Sequence, residues 1–253
     1  MMNNDNKISK QTKLFGYIGE NASISRFSAS INKLFKQNNN NMMMIPMNIR
    51  EDDLYFTISN MKKSHVNGAV ISNEYVDKVV DILDEKTVLV ERSGMCDIVF
   101  KEGETLKGDI FTTGVLLKKL KSIGAFNVAV IGINPHAKAF CQVASEFKLS
   151  FFYENLEELM GFCSEMKIEN ADINRIADGM SVDFSHYDAV LDFSDLDSLD
   201  MVEKLAPYSF DMKNTKEVSK LKNRADKLGA NYIGYDDMID GLAKEAYISL
   251  SGV

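Results

Sequence analysis

Asn127-Val-Ala-Val-Ile-Gly132-Ile-Asn134-Pro135-His136 is the stretch on which the fold turns. A continuous apolar run ending in glycine reads as a buried parallel strand and a tight turn. Proline just beyond it reads as the first position of a helix. Downstream, Pro135 to Phe147 is predicted as that helix and Leu149-Ser-Phe-Phe-Tyr153 as the next strand, with Glu154 just past its end. Strand, glycine, helix, strand, acid is the opening of a Rossmann half. The alternation continues through a helix at Leu156–Met166, a strand at Tyr187–Asp192, a helix at Thr215–Leu228 and a strand at Ala230–Gly234. A closing helix is predicted over Asp236–Leu250.

Upstream the same alternation is visible. Lys13–Gly19 reads as a strand, Ser25–Lys36 as a helix with Ile31, Leu34 and Phe35 on one face, and Met42–Ile49 as a strand that Pro46 confines to an edge or bulge. Glu51-Asp-Asp-Leu opens a helix with acids in its first turn, as the helix dipole prefers. Gly68–Ser72 reads as a short strand and Tyr75–Leu83 as a further helix. Thr112–Lys121, with Val115, Leu116, Leu117 and Leu120 at helical spacing, is the candidate connection between two lobes. The fold class expected is α/β: an N-terminal α/β substrate-type domain and a C-terminal Rossmann-like domain with a parallel sheet. The boundaries expected are a disordered tail at 1–12, the first domain at 13–110 and the second at 111–235. Residues 236–253 form a closing helix that returns to the first domain.

Composition narrows the function classes. The 253 residues carry 29 basic and 37 acidic side chains, a net charge of −8, which disfavours nucleic acid as a partner. The three cysteines, Cys96, Cys141 and Cys163, are widely spaced and odd in number, so neither a disulfide framework nor a zinc site is implied. No metal site is expected, and His65, His136 and His186 are isolated. The polar start, Met1 to Lys13, gives no signal peptide, and no apolar run reaches the roughly 18 residues of a membrane span. A cytoplasmic protein is expected.

The glycine turn is a poor copy of the dinucleotide fingerprint. That fingerprint uses glycines for the tight turn, for close approach of the pyrophosphate and for helix packing. Only Gly132 survives here. Asn134 can adopt a positive φ, but its side chain takes space a phosphate would use. Pro135 removes an N–H that would have faced the phosphate. Glu154, 22 residues after Gly132 (154 − 132), could hold a ribose 2′-hydroxyl, which favours NAD over NADP, but a solvated acid at a helix start is equally natural. The candidate cofactor residues are therefore Gly132, Asn134, His136 and Glu154, with either NAD or no cofactor as their occupant.

The order of segments resembles the shikimate dehydrogenase family over nearly the full length after the tail. Ile18-Gly19, Ser25 and Asn32 echo its opening I-G-x-P-x-x-H-S-x-S-P-x-x-H-N, and Gly68–Ser72 echoes G-x-N-V-T-I-P-x-K. Met44–Ile49 echoes its second strand, Gly94–Ile98 its G-A-V-N-T, Gly108–Thr112 its G-D-N-T-D, and Val130-Ile-Gly132 the start of G-A-G-G-A. The resemblance implies a substrate domain followed by an NADP-binding Rossmann domain, and the reduction of 3-dehydroshikimate to shikimate.

The departures fall where that chemistry would be done. Ser25 matches the first substrate-binding serine, but Phe27 replaces the second. In the strand motif Val70 stands for asparagine, Ser72 for threonine and Val76 for the catalytic lysine. The nearest lysine, Lys78, would sit about 200° away on a helix. The N-T-D triplet falls on Ile110, Phe111 and Thr112, so a hydroxyl replaces the catalytic carboxylate. Asp97 matches an asparagine and Gly241 a substrate-binding glutamine. The N-R-T grip on the NADP phosphate falls on Tyr153-Glu154-Asn155, and Glu154 would repel it. Ser25, Phe27, Ser72, Asp97, Thr112 and Gly241 are thus the substrate-cleft candidates. Lys78 and Asp109 are the only catalytic candidates left, should they pair; a surface ion pair is the plainer reading. A lysine and an aspartate that moved the proton would contribute about 10²–10⁴-fold, so their joint loss points to a pseudoenzyme or a repurposed binding protein. Its partner would be a small-molecule ligand or another protein, and the chain a monomer or homodimer. The alternative is an NAD-dependent oxidoreductase acting on a different small molecule.

Overall fold

The structure, a computed structural model, describes residues 11–169, 171–212 and 219–252. The tail expected at 1–12 lies outside them up to residue 10, as do residues 215–218 of the helix expected at Thr215–Leu228. In chain order the first elements are β1 (Lys13–Gly19), α1 (Phe27–Gln37), β2 (Met42–Asn48), α2 (Glu51–Met61), β3 (Val66–Ile71) and β4 (Glu85–Lys86). Then come α3 (Val88–Ser93), β5 (Ile98–Glu102), β6 (Thr105–Asp109), α4 (Thr112–Ser122), β7 (Asn127–Ile131), α5 (Pro135–Val143), β8 (Lys148–Tyr153) and α6 (Leu156–Glu165). The chain closes with β9 (Asp172–Arg175), β10 (Val182–Asp183), β11 (Ala189–Asp192), β12 (Val202–Lys204), β13 (Tyr208–Asp211), α7 (Lys220–Leu228), β14 (Asn231–Ile233) and α8 (Tyr235–Ser251).

These elements form two units. Unit 1 takes the chain through Thr87, Cys96–Phe111 and everything from Ile239 on; unit 2 takes Val88–Met95 and Thr112–Met238. Unit 1 is built on a six-stranded sheet in the order β2-β1-β3-β5-β6-β4. Strands β1, β2 and β3 run parallel, β5 is antiparallel to β3 and to β6, and β4 is parallel to β6. Pro46 lies in β2, at the sheet edge, where a missing N–H costs no ladder bond. Helix α1 buries Phe27, Ile31 and Phe35, and α2 buries Leu54, Ile58 and Met61. The second half of α8 belongs to this unit: Tyr247 donates to Asn40 Oδ1 at 2.9 Å and packs its ring on Phe35.

Unit 2 carries an all-parallel sheet in the order β14-β13-β11-β7-β8-β9. The first strand, β7, is central, with β8 on one side and β11 on the other. That makes a topological switch point at the carboxyl end of β7. Val128 to Ile131 are fully buried, as a strand covered on both faces requires. The helices are capped by their own sequence: Asn155 accepts from the Glu157 and Glu158 N–H groups, and Ser219 from Lys222. The short helix α3 also belongs here, with Gln142 of α5 donating to the Leu89 carbonyl at 3.3 Å.

Three expectations change. Tyr75–Leu83 is not an α-helix but two short 3₁₀ turns, Asn73–Tyr75 and Val80–Ile82. Within it Val76, Val79 and Val80 are stiff β-branched residues, which disfavour the helix. The helix expected to reach Phe147 stops at Val143. The elements β4, α3, β5, β6, β9, β10, β12 and β13 were not foreseen, the β5–β6 hairpin among them.

Candidate functional site

The carboxyl edge of the unit 1 sheet gathers two of the candidate cleft residues and one catalytic candidate. Ser72 follows the end of β3, its N–H donating to the Ile18 carbonyl of β1. Asp97 immediately precedes β5, its carbonyl accepting from Ile71 N–H, and its own N–H donates to the Asp109 carbonyl at the end of β6. Strand pairing thus brings Ser72, Asp97 and Asp109 to one edge, although they lie far apart in sequence.

Each of these side chains is engaged. Ser72 Oγ donates to Glu74 Oε2 at 2.5 Å and lies 3.5 Å from the Tyr17 hydroxyl, while Glu74 Oε1 accepts from Glu20 N–H at 2.9 Å. Buried Asp97 accepts from Phe111 N–H at 2.8 Å and so fixes the strand end that carries Phe111. Ser25 Oγ accepts from Phe27 N–H at 3.2 Å, holding the start of α1. The ring of Phe27 is fully buried, 4.9 Å from the ring centre of Tyr17 and 6.5 Å from that of Phe111. Three aromatic rings therefore occupy the interior beside this edge. Gly241 lies exposed on α8, next to Asp240, which pairs with Ser30 of α1 at 3.2 Å. Thr112 is buried as the first residue of α4, in unit 2.

The pairing of Lys78 with Asp109 does not form. Lys78 Nζ meets Glu51 Oε2 at 2.5 Å and lies over the Tyr75 ring, while Asp109 Oδ1 accepts from Thr87 Oγ1 at 2.9 Å and from Ile110 N–H at 2.8 Å. The 3₁₀ turns that replace the expected helix carry Lys78 toward α2 instead. Val76 is buried, and its carbonyl accepts from Cys96 N–H at 2.7 Å. Burial pushes the Cys96 thiol well up from its ordinary value, Cys141 and Cys163 likewise, so none is poised as a nucleophile.

The glycine turn of unit 2 is a capped helix start. Gly132 has φ +91°, and a Cβ there would come within 2.7 Å of the Phe193 and Ser194 backbone. This glycine is required by the close crossing of β7 and the segment after β11. Asn134 does not take a positive φ: it is extended (φ −71°, ψ 178°), and its Oδ1 accepts from Ala137 N–H at 3.1 Å. Pro135 has no N–H, and Lys138 N–H is spent on the Asn134 carbonyl. The ring of His136 stacks on Phe193, 6.5 Å between centres and 6° between planes. Pro135 thus offers a pyrophosphate no donor, and the Ala137 and Lys138 N–H groups are already bonded within the turn. Glu154 stands exposed beyond β8.

A second feature of this edge was not foreseen. Asp192 and Asp211 are register partners at the ends of β11 and β13, and both are buried. Asp192 Oδ1 accepts from the Ser194 N–H (2.9 Å) and Oγ (2.6 Å), and Asp211 accepts from Ser219 Oγ. Tyr232 of β14 is pushed up to about 12, by burial first and by the Asp211, Asp237 and Asp192 charges, against a lowering hydrogen bond with Ser219. Two carboxylates here repel an anion. The signal in the sequence was the acid closing the apolar run Ala189–Asp192. Among the described residues no group of three or more His, Cys, Asp or Glu could hold a metal ion, and no helix is long and apolar enough to cross a membrane.

The order of strands and the two-unit division can be compared with solved structures. A shikimate dehydrogenase in complex with NADP+ superimposes with a TM-score of 0.77 at 18% identity, over 98% of this chain and 92% of that one. The chain has the shikimate dehydrogenase fold. Shikimate 5-dehydrogenase from Listeria monocytogenes, in complex with shikimate and NAD, gives a TM-score of 0.71 at 14% identity over 98% and 94% of the two chains. The 5-ketofructose reductase of a Gluconobacter strain gives 0.72 at 14% identity over 96% and 93%. At these identities the likeness shows the fold and no more. No protein-family model matches the sequence, and no curated protein matches it.

Proposed function

We propose that this chain keeps the shikimate dehydrogenase fold without the dehydrogenase reaction, and works by binding a small molecule at the carboxyl edge of the unit 1 sheet or by binding a partner protein. The observation that carries this reading is the buried group Tyr17, Phe27 and Phe111, with Val76 beside the same edge. Phenyl rings stand where the resemblance requires hydroxyls, and a buried valine stands where it requires the proton-transferring lysine. A shikimate carboxylate would meet the Phe27 and Phe111 rings, which offer no donor, and the charges of Glu74 and Asp97. Thr112, at the position of the catalytic aspartate, has no carboxylate to take a proton. The capped turn at Gly132–Ala137 supports the absence of NADP, and Glu154 adds a charge that opposes its extra phosphate. Three free cysteines fit a reducing, cytoplasmic setting.

A second reading, an NAD-dependent oxidoreductase with a different substrate, is favoured by Glu154, which stands where an acid holds a ribose hydroxyl. Thermal unfolding with added cofactor separates the two. A ligand at 100 times its dissociation constant stabilises its protein by about 2.7 kcal/mol, several degrees for a chain of this size. The expected result is no shift in Tm with either NAD or NADP at millimolar concentration. A shift with NAD alone overturns the first reading in favour of the second.

A further inference from the structure

Helix α2 turns two aromatic rings to solvent. Leu54, Ile58 and Met61 are buried, while Tyr55 and Phe56 on the other side are 69% and 71% exposed. Single exposed apolar residues need no explanation, but adjacent aromatics on one helix make a contact surface. The charges around them are arranged in order. Asp52, Tyr55, Phe56, Asn60 and Lys63 are all exposed, with half-buried Ser59 between them. The acid stands at the start of the helix, the aromatics in the middle, and the base in the turn that ends it.

We propose that this face pairs with the same face of a second copy of the chain, the two α2 helices running antiparallel about a two-fold axis. A two-fold interface must be self-complementary: if residue i meets j, then j meets i. An axis through the midpoint between Thr57 and Ile58 meets that demand. It sets Asp52 against Lys63 of the other copy, Tyr55 against Asn60, and Phe56 against Ser59. Each pair brings opposite charge, a hydroxyl to an amide, or a large ring to a small side chain. Asp52 and Lys63 stand about 16 Å apart along the helix at 1.5 Å per residue, so both ends of the contact close together. Two neighbouring charges are already used within the chain: Glu51 pairs with Lys78 and Lys62 with Asp84, each at 2.5 Å. Asp52 and Lys63 make no ion pair among the described residues. The antiparallel arrangement also lays the acidic start of each helix along the basic end of the other, as their dipoles favour. One helix face per copy buries less than the roughly 800 Å² of a standard interface, so the dimer is concentration-dependent.

Sedimentation velocity over a hundredfold range of concentration tests this. The expected result is a mass rising from 28.4 kDa toward twice that value. Asp52→Lys alone, or Lys63→Asp alone, places like charges opposite each other at both ends and raises the dissociation constant at least tenfold. The double variant D52K/K63D re-forms opposite pairs and restores the dimer. Phe56→Glu abolishes it. All three positions are exposed, so far-UV circular dichroism shows unchanged folding. A chain that stays monomeric at every concentration overturns the proposal, as does a dimer that the single reversals leave intact or that the double variant fails to restore.

Discussion

Gly132 and Asn134 act on one turn for different physical reasons. Gly132 has to lack a side chain because the Phe193–Ser194 backbone passes within 2.7 Å of where a Cβ would be. Asn134 is there for its oxygen, which satisfies an N–H that the helix itself leaves open. Neither role needs a nucleotide. The protonation of Tyr232 in this unit is also set by its surroundings. Its hydroxyl is pushed from 10.0 up to about 12, so between those values the unfolded chain loses this proton while the folded one keeps it. The folded state then binds more protons than the unfolded, and stability falls as pH rises through that window. The contribution is fully present below pH 10. Urea unfolding at pH 9 and pH 11.5 therefore shows a smaller drop in stability for Tyr232→Phe than for the parent chain. An identical drop in both would assign the alkaline loss to other groups.

At the scale of elements, α5 rests on its first turn. Asn134→Ala removes the cap and is expected to cost about 1 kcal/mol, a fall in Tm of roughly 2–4 °C; Asn134→Asp, which keeps an acceptor oxygen, is expected to leave Tm nearly unchanged. Equal losses from both would mean that packing around Asn134, not the cap, holds the helix. The long apolar strands and capped helices could be read in advance because burial on both faces leaves a continuous apolar run, as in β7. The hairpin of β5 and β6 could not, because Ile98–Glu102 and Thr105–Asp109 are short and mixed in polarity. Their pairing depends on β3 alongside. The segment after β3 was misread because its valines fall at helical spacing while their χ1 stiffness weakens a helix. The pairing of Lys78 with Glu51 was therefore not foreseen.

For the whole molecule, the α/β class was legible because it follows from the alternation of strands and helices, whereas the site depends on which strand ends meet. Ser72, Asp97 and Asp109 were each singled out from the sequence, but their shared edge comes from the pairing of β1, β3, β5 and β6. The partners that occupy them, Glu74, Phe111 and Thr87, were invisible because a hydrogen bond across that edge leaves no periodic signal. Asp192 and Asp211 escaped notice for the same reason: they are 19 positions apart (211 − 192) and become neighbours only through the parallel register of β11 and β13. What remains is a dehydrogenase fold whose polar edge groups are spent on one another. The most direct measurement is the absorbance at 340 nm of the purified chain with 3-dehydroshikimate and NADPH, then NADH, over pH 6 to 9. The account expects no change above the enzyme-free rate at any pH. Oxidation of either cofactor that depends on 3-dehydroshikimate and scales with protein concentration would contradict it.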